Sequence, residues 1–290
     1  MLYFRPVVAI RLMSIIIFTI ILLIGSYFAG LLGSLTGLGG GVVIIPLLTL
    51  LLKVDIHYAI GASLVSVIAT SSGSAAAYVR EGITNMRLGM FLEIATTAGA
   101  MCGAILAVYI PTHYIAILFG IILICSALLS LRKKREVIIA QKNELAKKLR
   151  LNDSYPTQAG MVDYGISNVG GGFFMMLFAG VISGLLGIGS GALKVVAMDT
   201  IMRIPFKVST TTSNFMIGVT ASASAVVYLQ RGYISPGLSM PVVIGVLLGA
   251  LTGSKILVNS TSSHWLRWVF AIVVTFLAGQ MIYNGITGKI

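Results

Sequence analysis

The chain has 290 residues, 57% hydrophobic and only 10% charged, with a mean hydropathy of +1.00. A soluble domain of that length could not keep so much apolar surface out of water, so the solvent is lipid. The net charge of +12 does not require nucleic acid, because eight of the twenty Lys and Arg fall between Arg132 and Arg150 in the one long polar stretch, as expected of a cytoplasmic loop facing anionic lipid.

Arg5 and Arg11 precede an apolar run that continues from Leu12 past Leu35 with no clear small-residue cleavage site, so it reads as a first span rather than a leader. A transmembrane helix needs about 20 mostly apolar residues. Such stretches follow at 12–35, 57–79, 87–110, 113–131, 168–187, 207–229, 236–257 and 264–286, eight in all. Two shorter apolar runs, Val42 to Leu52 and Ala192 to Met202, follow the first and fifth stretches. As helices they would extend only about 16 Å, half the hydrocarbon thickness, and they read as half-helices. Cys102 and Cys125 lie inside apolar runs and are expected to be packing residues, with neither a disulfide framework nor a metal motif in view.

Sliding the chain against itself by 150 residues needs no gap. Gly30, Gly37, Gly39 and Gly41 fall on Gly180, Gly187, Gly189 and Gly191. Ser63, Thr70, Ser72, Ser74 and Tyr78 fall on Ser213, Thr220, Ser222, Ser224 and Tyr228, and Gly82, Gly99 and Gly103 on Gly232, Gly249 and Gly253. The expected organisation is an N-terminal repeat over 1–131, a basic cytoplasmic linker over 132–165 that forms no second domain, and a C-terminal repeat over 166–290. Four crossings plus a re-entrant half-helix per repeat would make the halves parallel; a half-helix that crosses would make them inverted. Both arrangements leave fourteen Lys and Arg inside and five outside, with Lys194 set aside. The shortness of 42–52 and 192–202 favours the parallel one.

Glycines interrupt the chain at Gly37-Leu38-Gly39-Gly40-Gly41 and at Gly187-Ile188-Gly189-Ser190-Gly191. Non-helical backbone at membrane depth must be buried in protein or line a watery cavity. Glycine tolerates positive φ and uncovers backbone N–H groups, and the following half-helix turns its positive end to the same point. Together these favour an anion, and paired breaks in two halves point to a transporter site. The rows Ala95/Gly99/Gly103 and Gly245/Gly249/Gly253 instead have the four-residue spacing of close helix packing. No Gly-Lys-Ser/Thr follows either break, which speaks against a nucleotide P-loop.

Lys194 lies three residues beyond Gly191, where an ammonium in lipid needs a partner or a cavity. It reads either as a direct anion contact or as a pair with Asp199 or a snorkelling residue. Its counterpart is Ile44. Ser209 to Asn214 could donate to sulfonyl or carboxyl oxygens or could cap and bond neighbouring helices; Ser213, its counterpart Ser63, and Asn214 are the candidates for substrate contact. Glu93, the one acid well inside an ordinary span, is a proton-coupling candidate unless it sits near the interface. His57, His113 and His264 lie at span ends and form no catalytic grouping.

The duplicated Gly-x-Gly-Gly-Gly-type breaks, the short apolar segment ending near Pro46, and the stretches from Gly187 to Lys194 and from Thr211 to Gly218 resemble the sulfite exporter TauE/SafE family. Resemblance covers nearly the whole chain outside the central loop; Ser190 in place of a glycine and Val196 in place of a proline depart from it. It implies a secondary carrier, without cofactor or metal, for sulfite, sulfoacetate, taurine-related sulfonates or other small anions, and no enzyme. The combined expectation is an all-α protein of the cytoplasmic (inner) membrane, with eight spans in two four-helix repeats and inverted repeats as the alternative. Its partners would be the anion and lipid, with a homodimer allowed for and no nucleic acid. Substrate would be held by Gly39, Gly40, Gly41, Ser63, Gly189, Ser190, Gly191, Lys194, Ser213 and Asn214, and the protein would be an exporter, with an importer or channel as the other reading.

Overall fold

The computed structural model describes residues 4–36, 40–80, 82–131, 144–157, 160–259 and 264–289. Gly37, Leu38 and Gly39 of the first break and 132–143 of the linker lie outside the described residues, as do the surroundings of Ser74, Tyr78, Gly253 and His264. The chain is mostly helical: α1 (Phe4–Thr36), α2 (Gly41–Pro46), α3 (Ile56–Arg80), α4 (Met86–Tyr109), α5 (Thr112–Leu131), α6 (Glu144–Lys148), β1 (Asp153–Thr157), β2 (Gly160–Tyr164), α7 (Val169–Leu186), α8 (Gly191–Val196), α9 (Phe206–Gln230), α10 (Pro236–Asn259) and α11 (His264–Ile286). Among the described residues, helices over 56–73, 86–109, 169–186 and 206–230 are long and apolar enough to cross a membrane; shorter apolar helical stretches lie at Ile16–Leu32, Gly41–Leu51, Thr112–Leu128, Pro236–Thr252 and Ala271–Ile286.

The two short runs fold alike. Helices α2 and α8 pass without interruption into π-helical turns at Leu47–Leu51 and Ala197–Ile201. Each is followed by a residue of positive φ, Lys53 at 54° and Arg203 at 55°. Pro46 ends α2 and Val196 ends α8, so the passage into a π turn does not depend on the proline.

The principal helix pairs are α1 with α10, α4 with α7, α3 with α9 and α5 with α11. Absent side chains allow the first two pairs to touch backbone to backbone. A Cβ on Gly99 or Gly103 would lie 2.2 Å from the Leu177 carbonyl or 2.0 Å from that of Val181; on Gly249 it would lie 1.9 Å from the Tyr27 carbonyl. This is the small-residue packing expected of both rows.

The same contacts fix helix directions. Gly245 meets Leu23 and Tyr27, and Gly249 meets Tyr27 and Leu31, so α1 and α10 run parallel; Gly99 and Gly103 advance along α7 in the same way. Gly120 meets Ala278 and Ile282 whereas Gly285 meets His113 and Ile117, so α5 and α11 are antiparallel. Gly61 adjoins Tyr233, just past the end of α9, while Ser71 adjoins Gly218, so α3 and α9 are antiparallel too. The pairs α3/α9 and α5/α11, which share places in the 150-residue offset, therefore oppose one another, where the arrangement favoured from run length has them parallel. The physical reason is that helix direction is set by which faces meet, which the length of a run does not encode.

The last part of the linker carries structure of its own: β1 and β2 pair antiparallel, Asp153 opposite Tyr164, and Leu151, Tyr155, Tyr164 and Ile166 pack with Leu88, Val169 and Met202. Asn85 clamps the hairpin to the start of α4: its Nδ2 donates to the Leu151 carbonyl (2.8 Å) and to Tyr164 Oη (2.9 Å) while its Oδ1 accepts from Leu88 N–H. Burial pushes the Tyr164 hydroxyl well above its usual range, against the opposing pull of the Asn85 bond. Cys102 and Cys125 face outward instead of packing, because they lie on the lipid-facing sides of α4 and α5, where a small apolar thiol is no liability.

Candidate functional site

The two breaks meet in the interior. A Cβ on Gly41 would sit 2.5 Å from Ser63 Oγ and 3.5 Å from the Gly187 carbonyl oxygen, and Ser63 Oγ donates to that same carbonyl at 2.9 Å. One half thus pins the break of the other. Ser213, the counterpart of Ser63, donates to the Gly191 carbonyl at 3.2 Å. Both hydroxyl hydrogens are committed to backbone oxygens, so these serines hold the breaks in shape and are not free to donate to a substrate in this conformation.

Gly40, Gly41, Gly189 and Gly191 are closely packed: a Cβ would meet Val246, Ser63 and, for the last two, Ile217 at under 3.0 Å. Free space opens beside them. A narrow cleft of about 10 Å³, room for one water molecule in this conformation, is lined by Val42 after the first break, by Ile188, Ser190 and Gly191 of the second, by Ala192 and Leu193 that follow it, and by Ile122 and Ser126 of α5. Gly191, Ala192 and Leu193 open their helix, and the first N–H groups of a helix have no partner within it. Ser190 is 3% exposed, has φ 44°, and its Oγ has no hydrogen-bond partner. A non-glycine residue held in the left-handed region with a buried, unpartnered hydroxyl is a double departure from a relaxed interior. Asn214 is half-buried on α9, and Gly39 lies outside the described residues.

Behind this wall lies a polar chain. Lys194 is fully buried and its Nζ donates to Thr220 Oγ1; Thr220 donates to Glu93 Oε1 at 2.6 Å, and Thr97 donates to the same oxygen at 3.0 Å. Glu93 is 7% exposed, and its Oε2 is buried without a partner. The chain joins α8 and α9 to α4, so Glu93 is an interior residue rather than an interfacial one. The rest of the hydroxyl run is structural: Thr211 reaches the Ile83 carbonyl, and Thr212 Oγ1 accepts from Asn85 N–H. Thr220 and Thr97 were not singled out from the sequence. The signal was present, since a buried ammonium demands an acceptor and Thr220 belongs to the recurring hydroxyl row.

Apolar helices, two interrupted segments brought together and a buried Lys194–Thr220–Glu93 hydrogen-bonded line beside them are the marks of a multi-pass membrane protein. The sequence pattern of "Sulfite exporter TauE/SafE" matches residues 21–281. The chain belongs to that family, whose members are membrane transporters and not enzymes. It is 30% identical over 276 residues to the "Probable membrane transporter protein YunE" of Bacillus subtilis, covering 92% of this chain and 98% of that one. It is 28% identical over 236 residues to "Probable membrane transporter protein YdhB" of the same organism, covering 81% and 89%. A "Probable membrane transporter protein" of Xylella fastidiosa is 25% identical over 271 residues, covering 92% and 96%. No solved structure matches.

Proposed function

We propose that the protein is a secondary transporter of a small anion, with sulfite or an organosulfonate as the substrate class and export as the direction. The observation that carries this reading is the meeting of the two breaks at one pocket, where Ser190 Oγ lacks a partner and the N–H groups of Gly191 to Leu193 open a helix. A tetrahedral or pyramidal oxyanion takes several donors converging from one side, as this set does. Gly40, Gly41 and Gly189 let the backbones close around it, Ser63 and Ser213 keep them in register, and Lys194 behind the wall supplies the positive field.

Eight helices, α1, α3, α4, α5, α7, α9, α10 and α11, would cross the membrane as two inverted four-helix repeats, with Gly41–Leu51 and the segment from Gly191 to Ile201 as return limbs. Inverted repeats support alternating access, because exchanging the conformations of the two halves turns an inward opening into an outward one. The basic stretch between Arg132 and Arg150 would set the cytoplasmic face.

The test is counterflow of labelled sulfite in liposomes containing the purified protein. Accumulation driven by unlabelled sulfite on the other side is expected, with Lys194→Ala abolishing it while the protein still inserts. Passive equilibration without counterflow would make the protein a channel, and no response to sulfite, sulfonates, sulfate or carboxylates would remove the anion reading.

A further inference from the structure

Glu93, Thr220 and Lys194 form a continuous donor-acceptor line across the boundary between the halves. The Lys194 ammonium donates to Thr220 Oγ1, whose single hydroxyl hydrogen has two acceptors in reach, Glu93 Oε1 at 2.6 Å and the Met216 carbonyl at 2.8 Å, the carboxylate being the nearer. If an N–H proton of Lys194 passes to Thr220 Oγ1 while the hydroxyl proton passes to Glu93 Oε1, the ion pair becomes a neutral amine and a neutral carboxylic acid. No heavy atom moves and no charge leaves the site. Before that transfer Oε2 is a buried carboxylate oxygen with no partner, so the site with Glu93 ionised has one position open to an additional proton.

The charge count decides what that proton does. With Glu93 ionised and Lys194 protonated, the interior is neutral. A monovalent anion entering beside Ser190 makes it −1, and a net charge in this surrounding is expensive. Protonating Glu93 restores neutrality and releases the full positive charge of Lys194 to the anion. Binding a proton without the anion would leave +1, which is equally unfavourable. We propose that Glu93, relayed through Thr220 to Lys194, is the coupling site for one proton that binds and moves together with each monovalent anion, so that transport is electroneutral symport. This rests on the anion-transport reading above and adds its coupling ion.

The groups facing Glu93 are few. Helix α4 packs against α7, which contains no ionisable residue, and against α9, whose Lys207 is exposed at its start and whose Tyr228 bonds the Leu185 carbonyl instead. On the short segment, Lys194 faces the carboxylate and Asp199 is half-buried five residues on; Arg87 on α4 itself is exposed. The counterparts of Lys194, Thr220 and Glu93 are Ile44, Thr70 and Val243, so the relay exists once.

The test uses the full chain in liposomes loaded with a pH dye, with methanesulfonate outside. Its charge is fixed at neutral pH, so any proton that accompanies it has been carried by the protein. Inward flux should acidify the lumen by about one proton per anion, and a potassium diffusion potential of either sign should leave the rate unchanged. Thr220→Val, an isosteric change that removes the hydroxyl, should lower the proton-to-anion ratio by at least about tenfold, while Thr220→Ser retains it. Glu93→Gln should lower the ratio likewise. Luminal alkalinisation, voltage-driven flux without acidification, or an unchanged ratio in Thr220→Val and Glu93→Gln overturns the proposal. Absence of flux with both methanesulfonate and sulfite sinks the transport reading, and the coupling falls with it.

Discussion

The first break turns through Gly40 in ordinary right-handed backbone, φ −66° and ψ −22°, and continues into Gly41–Pro46 with every side chain buried and apolar. The second, 150 residues on, places Gly187, Gly189 and Ser190 in the left-handed region and follows them with a buried lysine. The segments that come after, from π turn to positive-φ residue, are alike in both. Among the described residues the frame is thus alike while the chemistry is not: Gly40 to Pro46 supply an apolar wall, and their counterparts supply a left-handed serine with an unpartnered hydroxyl and a charge.

The largest effect that would test the shared frame comes from Gly99→Leu and Gly249→Leu. Both positions touch a carbonyl of a parallel neighbour, and overpacking costs about 1–3 kcal/mol or more where backbone must move. Each is expected to reduce folded protein in detergent, by similar amounts, as read from monodisperse yield and melting temperature. A tolerated change at one position and collapse at the other would break the equivalence.

Next comes the asymmetry. Glu93→Leu leaves Lys194 buried with its charge unbalanced and is expected to destabilise by about 3–5 kcal/mol. The pair Glu93→Leu with Lys194→Met should recover most of that loss, because Val243 and Ile44 already show that the frame accepts apolar residues there. Thermal melting of the two singles and the double measures this. A double variant no more stable than Glu93→Leu alone would contradict the buried pair.

The two serine types should separate. Ser63→Ala removes a bond to the Gly187 carbonyl and should cost about 1 kcal/mol. Ser190→Ala removes a hydroxyl without a partner, so stability should hold within about 0.5 kcal/mol while sulfite protection against melting weakens.

The smallest effect lies at the start of α3. His57 hydrogen-bonds the Asp55 carboxylate and holds it below its ordinary 3.8, against partial desolvation. A depressed acid stabilises the fold above its unfolded value and loses that contribution as pH falls through the lower folded one. Asp55→Asn should slightly flatten this acid limb of the melting curve below the ordinary 3.8, since the side chain is half exposed; an unchanged limb would rule the bond out as a contributor.

Much of this was legible before any coordinates. Helix ends fall within a residue or two of the apolar stretches after the first span, because hydrocarbon thickness fixes length. Both glycine rows were readable as packing from spacing, and Lys194 as exceptional from the cost of a charge in lipid. The hairpin at 153–164 was hidden in a stretch whose polar residues resemble any linker. Asn85 gave no signal either, since its work is to bond Leu151 and Tyr164, far along the chain.

By itself the sequence determined that the solvent is lipid, that landmark residues recur at an offset of 150, and that glycine clusters stand at matching places in that offset, because composition, length and spacing are properties of the chain alone. Only the tertiary structure decided that α3 opposes α9 and α5 opposes α11, that Ser63 and Ser213 bond backbone carbonyls of the second break, and that Lys194 reaches Glu93 through Thr220. Direction and partnership depend on which surfaces meet in three dimensions. Periodicity says which face of a helix is apolar, but a hydroxyl or a carboxylate acquires its role from what lies within 3 Å of it.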